Sequence, residues 1–251
     1  MNYRALICDL DGTTIPNRHD GMPSKAVLHA VAQAKQRVHV AAATARPYFF
    51  AKPVVKKLGL TGPSIFHNGA RIIDVVDDTV LWEQSIGHDD IFAAYEIFKH
   101  VKGRVIVNDD GKDITMKDSY RPYKPLSMHI NNIAPRKAAA ILHRFSHIPT
   151  VSAYTYRGYE HGTVGVVVSH VNATKQSAIV KLAELLDIAT SSFIGIGDSH
   201  TDFPLLMACG LKLAMGNAVD GLKDIADYVV PPVEEDGAAF AIRKFILHQE
   251  R

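Results

Sequence analysis

Apolar side chains follow two rhythms along this chain. One is a set of short, nearly unbroken runs. Ala5-Leu6-Ile7-Cys8 leads through Asp9 and Leu10 into Asp11-Gly12, which reads as a buried strand over 5–10 followed by a turn. Further strands are predicted over 38–43, 64–67, 71–74, 193–197, 211–215 and 228–230. The other rhythm has the helical period. Ser24 offers a cap for a helix over 25–36, and Gly59 stops one over 49–58. Ile179, Leu182, Leu185 and Leu186 share a face of a helix over 175–186; Gly210 ends one over 203–209, and a last helix covers 238–247. Strands alternating with helices predict an α/β fold, a Rossmann-like parallel sheet covered on both faces.

The segment 82–170 breaks this alternation. It reads as a helix over 91–101, strands over 105–108 and 114–117 around Asp109-Asp110-Gly111, and a strand over 126–131. A helix over 136–145 after Pro135 and a hairpin over 151–156 and 163–169 follow. Helices grouped with antiparallel strands predict an inserted α+β domain over 82–170, between core segments 1–81 and 171–251.

Composition narrows the class. Apolar residues make up 47% and charged residues 22%, as in an ordinary globular protein. The net charge of +2 is spread along the chain, which argues against a nucleic-acid partner. No apolar run reaches the ~20 residues of a membrane span, and no secretory leader is visible, so no membrane partner is expected. Cys8 and Cys209 read as buried thiols, and a cytoplasmic location is expected.

Chemistry gathers where predicted strands end. Asp9 and Asp11 flank Leu10 at the carboxyl end of the first strand, where parallel sheets bind ligands. Alternation puts them on one side, and two carboxylates that close call for a cation or a shared proton. A bare Asp-x-Asp-Gly is more often a solvated turn. A second acidic cluster, Gly197-Asp198-Ser199-His200-Thr201-Asp202, also follows a buried strand, and oxygen ligands of this kind suit Mg²⁺. His200 stands where a dinucleotide fingerprint needs its third glycine, so a nicotinamide site is rejected. Thr44 ends the second strand, and Lys175 begins a helix where an anion is favoured. Singly, Thr44 reads as a cap and Lys175 as a surface charge.

In order, Asp9-Leu10-Asp11-Gly12-Thr13, Thr44, Lys175 and Gly197-Asp198-Ser199 with Asp202 resemble the haloacid dehalogenase (HAD) superfamily of phosphatases. Asn68-Gly69-Ala70 and Met215-Gly216-Asn217-Ala218 resemble its Cof-type branch, whose cap domain, the C2 type, is inserted between the Thr44 and Lys175 motifs. The resemblance implies a Mg²⁺-dependent phosphatase acting on a small phosphorylated metabolite. Asp9 would be nucleophile and metal ligand. Asp11 would be general acid/base and give the metal its backbone carbonyl. Asp198 would be a third ligand, Thr44 and Lys175 would bind the phosphoryl group, and Asp202, Arg46 and Asn217 would support the site.

Three positions depart from the branch pattern. Ala45 replaces a glycine, which predicts a slightly different loop. Thr201 replaces an asparagine, which puts a phosphate contact in question. Gln176 replaces a common glycine, with an effect expected on packing alone. Two other readings share these residues: a phosphomutase or phosphotransferase, and a non-catalytic phosphometabolite-binding protein. The short stretch between Thr13 and Thr44 leaves no room for the cap placement of several mutases. Arg121, Tyr123, Lys124, Tyr154, Tyr156, Arg157, Tyr159 and His161 are the insertion's candidates for facing a substrate.

Overall fold

The computed structural model describes residues 3–18, 20–158 and 160–249. The chain divides into two compact units, Met1–Glu83 with Thr174–Arg251, and Gln84–Ala173.

The first unit opens with β1 (Ala5–Cys8), α1 (Lys25–Ala34), β2 (His39–Ala42), α2 (Tyr48–Leu58), β3 (Pro63–Phe66), β4 (Arg71–Asp74) and β5 (Thr79–Glu83). Ser24 Oγ accepts the Val27 N–H at 3.1 Å and starts α1; Gly59, at φ +63°, closes α2 in the left-handed conformation that favours glycine. In the second unit lie α3 (His88–Phe98), β6 (Val105–Asp109), β7 (Lys112–Thr115), β8 (Pro125–Ile133), α4 (Pro135–Phe145), β9 (Val151–Arg157) and β10 (Val164–His170). The first unit resumes with α5 (Lys175–Leu186), β11 (Phe193–Gly197), α6 (Phe203–Ala208), β12 (Leu211–Met215), α7 (Asp220–Asp224), β13 (Tyr228–Val230) and α8 (Gly237–Ile242), followed by a π-helical turn over Arg243–Leu247.

The core sheet runs β13-β12-β11-β1-β2, all parallel. Its central strands are buried on both faces, which explains why they read as continuous apolar runs. A single parallel bridge, Ala43 to Ile65, carries the ladder on to β3, which forms an antiparallel sheet with β4 and β5. β5 is missing from the sequence reading. Thr79, Val80 and Leu81 are exposed, so the strand has no apolar signature. Its pairing of Trp82 with Ile72 and Glu83 with Arg71 keeps those residues in the first unit.

The second unit is an antiparallel sheet, β7-β6-β8-β10-β9, with α3 and α4 packed on it around Ile91, Phe98, Met128, Phe145 and Val166. The β6–β7 turn is tighter than expected. Asp110 and Gly111 both take positive φ, so β7 begins at Lys112 rather than 114.

Candidate active site

Parallel pairing of β1 with β11 brings Asp9 and Asp198, each the first residue past its strand, to the same sheet edge. The Asp9 N–H continues the ladder to Ile196 O at 3.0 Å. Leu10 is fully buried, and its carbonyl accepts the N–H groups of Thr13, Thr14 and Ile15. That tight loop holds Asp9 and Asp11 on either side of an apolar anchor.

Lys175 lies at the centre. Its Nζ bonds Asp9 Oδ1 and Asp202 Oδ1, both at 2.6 Å, and the residue is only 1% exposed. It is therefore no surface charge. Thr174 caps its helix by accepting the Ser177 N–H. Asp202 also accepts from the Asp198 N–H, the Ser199 N–H and the Ser199 hydroxyl through Oδ2. Both Asp202 oxygens are thus committed to protein donors.

The charge is unbalanced. Three buried carboxylates, Asp9, Asp198 and Asp202, bring one oxygen each within 4.8 Å of one another, and one ammonium serves them. Burial works against the Lys175 cation, but Asp202 and Asp9 outweigh it and hold its pKa above the usual lysine value. Burial pushes the Asp9 carboxyl up, with Lys175 pulling the other way. Burial also pushes Asp198 up to about 7; Asp202 adds to this, and the Thr13 hydroxyl bond at 3.1 Å opposes it. Such a set suits a divalent cation held by oxygen donors. Asp198 keeps Oδ2 and Asp9 keeps Oδ2 without a hydrogen-bond partner among the described residues, whereas Asp202 has no oxygen to spare.

Arg46, buried in the loop after β2, donates Nε and Nη2 to the two oxygens of Asp11 and lies 4.4 Å over the Phe50 ring. Thr44 is buried. Its N–H is spent on Ile65 O, and its Oγ1 accepts the Arg46 N–H at 3.1 Å, so of its own donors only the hydroxyl proton is left for a ligand. Asn217 donates to Gly12 O and accepts from the Val233 N–H, both at 2.8 Å. It steadies the backbone beside Asp11. Gly12, at φ +78°, lets Asp198 approach: a Cβ there would lie 2.3 Å from Asp198 Oδ2.

The structure thus links Asp9, Lys175, Asp202 and Asp198 directly, and Asp11 with Arg46. Thr13 and Ser199, quoted above only as parts of motifs, prove to be partners of Asp198 and Asp202. A serine three residues before an aspartate is a capping-box signal that would have found the second pair. Of the departures, Ala45 takes no positive φ, so it needs no glycine. Thr201 bonds the Ser199 hydroxyl at 2.9 Å. Gln176 is exposed, so the packing effect expected of it does not arise. Among the insertion's candidates, Tyr123 is exposed and Arg121 lies over Phe92. Tyr159 and the Arg157 side chain lie outside the described residues. Cys8 and Cys209 are buried free thiols, and burial pushes Cys209 up to about 12. Among the described residues no helix is long and apolar enough to cross a membrane.

Comparison with known proteins agrees with this geometry. A family model of haloacid dehalogenase-like hydrolases matches residues 6–242. A phosphoglycolate phosphatase of Methanosarcina acetivorans is 26% identical over 248 residues, covering 96% of each chain. A haloacid dehalogenase-like hydrolase from Bacillus subtilis superposes with a TM-score of 0.83 at 20% identity, covering 96% of this chain and 99% of that one. The HAD subclass IIB sugar phosphatase BT4131 superposes with a TM-score of 0.79 at 20% identity, covering 96% and 98%. The chain belongs to the haloacid dehalogenase-like hydrolases, in their Cof-type branch, and is a phosphatase.

Proposed function

We propose that this phosphatase hydrolyses a small phosphate monoester, a sugar phosphate, phosphoglycolate or a similar metabolite, through an aspartyl-phosphate on Asp9. The observation that carries this reading is the Lys175 ammonium locked between Asp9 and Asp202 at 2.6 Å each. It orients the Asp9 carboxylate and supplies positive charge for the equatorial phosphoryl oxygens. The names of the methanogen relative and of BT4131 support the substrate class.

The residues divide the work. The Asp9 carboxylate attacks phosphorus in line and the P–O ester bond breaks. Asp11 gives a proton to the departing alkoxide. A water then attacks phosphorus, Asp11 takes its proton, and Asp9 is regenerated with release of inorganic phosphate. Thr44 and Lys175 hold the phosphoryl oxygens. Mg²⁺, bound by Asp9, Asp198 and the Asp11 carbonyl, would neutralise charge that Lys175 alone does not cover. We assign the unit Gln84–Ala173 the role of a cap that selects the substrate, and, from the two buried thiols, a cytoplasmic location to the protein.

A panel of phosphorylated metabolites, incubated with Mg²⁺ and assayed for inorganic phosphate, tests the reading. Phosphate release should be seen with the parent and vanish in Asp9→Asn. Isomerised product without free phosphate would point instead to a mutase, and no turnover of any member would leave only binding.

A further inference from the structure

The edge of the core sheet opposite Asp9, where the strands begin, carries a cavity of 410 Å³. Arg4, Lys35, Arg37, His39, Thr61 and Ile188 are among the residues that line it. They come from separate places. Arg4 precedes β1, Lys35 and Arg37 lie between α1 and β2, His39 begins β2, Thr61 lies between α2 and β3, and Ile188 follows α5. Three permanent cations converge there, and no aspartate or glutamate lines the cavity.

That imbalance contrasts with the buried cations of the unit. Arg46, Arg71 and Lys175 are each matched to a carboxylate. The three cations of the cavity form no ion pair among the described residues. Arg37 fixes its orientation by donating Nη1 to the carbonyls of Ile246 and Leu247 at 3.1 and 3.2 Å, and no described residue engages its Nε or Nη2. Lys35 bonds the Gly59 carbonyl, which uses one of its three donors. The Arg4 side chain is exposed and makes no hydrogen bond among the described residues. His39 donates Nε2–H to Pro63 O at 3.0 Å, which leaves Nδ1 unprotonated in the neutral ring. Asp74, whose field acts on His39, is not among the lining residues.

Convergent cations with donors to spare are what a multiply charged anion needs, and two of the three are guanidinium forks suited to phosphate or carboxylate. The cavity exceeds one inorganic phosphate, and beside its cations and His39 the lining is aliphatic, Ile188 with Val38 and Val40, with no phenylalanine, tyrosine or tryptophan for a base to stack on. We propose that this cavity is a second binding site, for a small polyanion bearing two or more phosphate or carboxylate groups on a compact skeleton. It lies at the start of β1 and β2, strands whose far ends lead to Asp9 and Thr44, roughly 13 Å of strand away. It is therefore distinct from the catalytic centre and does not depend on the catalytic assignment. An occupant ties the N-terminal ends of both strands together and stabilises the fold by mass action.

Pyrophosphate in metal-free buffer is the probe, followed by amide chemical shifts and by thermal melting. Saturable shifts are expected at Val38, Val40 and Thr61, with a Kd of about 0.1–1 mM at low salt, weakening as salt rises. Arg4→Glu should weaken binding at least about tenfold and Arg4→Lys only a few-fold, while both keep the parent's phosphatase turnover and melting temperature without ligand. Shifts confined to residues around Asp9 and Asp198, or pyrophosphate binding unaltered in Arg4→Glu, would overturn the proposal.

Discussion

Arg46 holds Asp11 at both carboxylate oxygens, Nε to Oδ2 at 2.6 Å and Nη2 to Oδ1 at 2.5 Å. A proton on either oxygen removes the negative charge that the fork binds, so an Asp11 that serves as acid and base loosens this grip when protonated and regains it when ionised. Arg46→Ala should lower kcat roughly 10- to 100-fold, part of the usual worth of general acid–base help, with KM changed far less. Arg46→Lys should recover little, because an ammonium cannot copy the fork. Alkyl phosphates, which need the acid, should suffer more than aryl phosphates. An equal loss on both would remove Arg46 from the proton-transfer step.

Asp9 and Asp11 should give different phenotypes. Asp9→Asn should form no phosphoenzyme with any substrate. Asp11→Asn should accumulate phosphate on Asp9 from an aryl phosphate, because a good leaving group spares the acid while the second step still lacks its base. Rapid acid quench and mass spectrometry of the Asp9 peptide read this directly. Label on a serine or histidine would defeat the mechanism.

Chelation should abolish turnover and Mg²⁺ should restore it. Asp198→Ala should raise the Mg²⁺ concentration for half-activity by at least about tenfold, given how few protein ligands such a site has. Ca²⁺ should inhibit, since its longer, looser coordination misplaces Asp9. Full activity after exhaustive chelation would discard the metal assignment.

His67 ties the fold to pH. Burial, with Arg71 nearby, pushes its pKa from 6.5 down to about 3. Above pH 6.5 the ring is neutral folded and unfolded, and its contribution is complete. As pH falls from 6.5 towards 3 the unfolded chain binds a proton that the folded chain refuses, so stability falls by an amount on the order of a few kcal/mol. Urea melts across that window should show the loss in the parent and a flatter profile in His67→Gln. Parallel slopes in the two proteins would assign the acid sensitivity elsewhere.

Splicing Glu83 to Thr174 removes the second unit. The shortened protein should keep slow hydrolysis of an aryl phosphate and lose discrimination among metabolites. A parent-like substrate ranking would place specificity in the core.

The parallel core was legible because burial on both faces leaves no polar positions in β1 or β11, and the acidic ends of those runs stand out against them. Asp9 and Asp198 could be named for that reason, whereas Lys175, which alone reads as a surface charge, was named through the family resemblance. β5 was not legible, since its first residues face solvent and its place is set by pairing with β4. Nor was the use of Thr13, which depends on a meeting of side chains across 185 positions of chain; Ser199, three positions before Asp202, did carry a capping-box signal. Arg46 was picked out by motif, but its grip on Asp11 is a matter of loop geometry after β2 and has no periodic signature.

The strand order carries a consequence for synthesis on the ribosome. β1 has β2 on one side from early on, but its other neighbour is β11, which begins at Phe193. While the nascent chain is shorter than that, the strand bearing Asp9 keeps the backbone N–H and C=O groups of one edge unpaired through the whole production of the intervening unit. Parallel pairing across so long a separation is slow and exposes the chain to association with its neighbours. The segment around Ala5–Cys8 is thus a natural client for chaperones that hold nascent chains. On the proposed mechanism, activity can first appear only after Lys175 and Asp198 have left the exit tunnel.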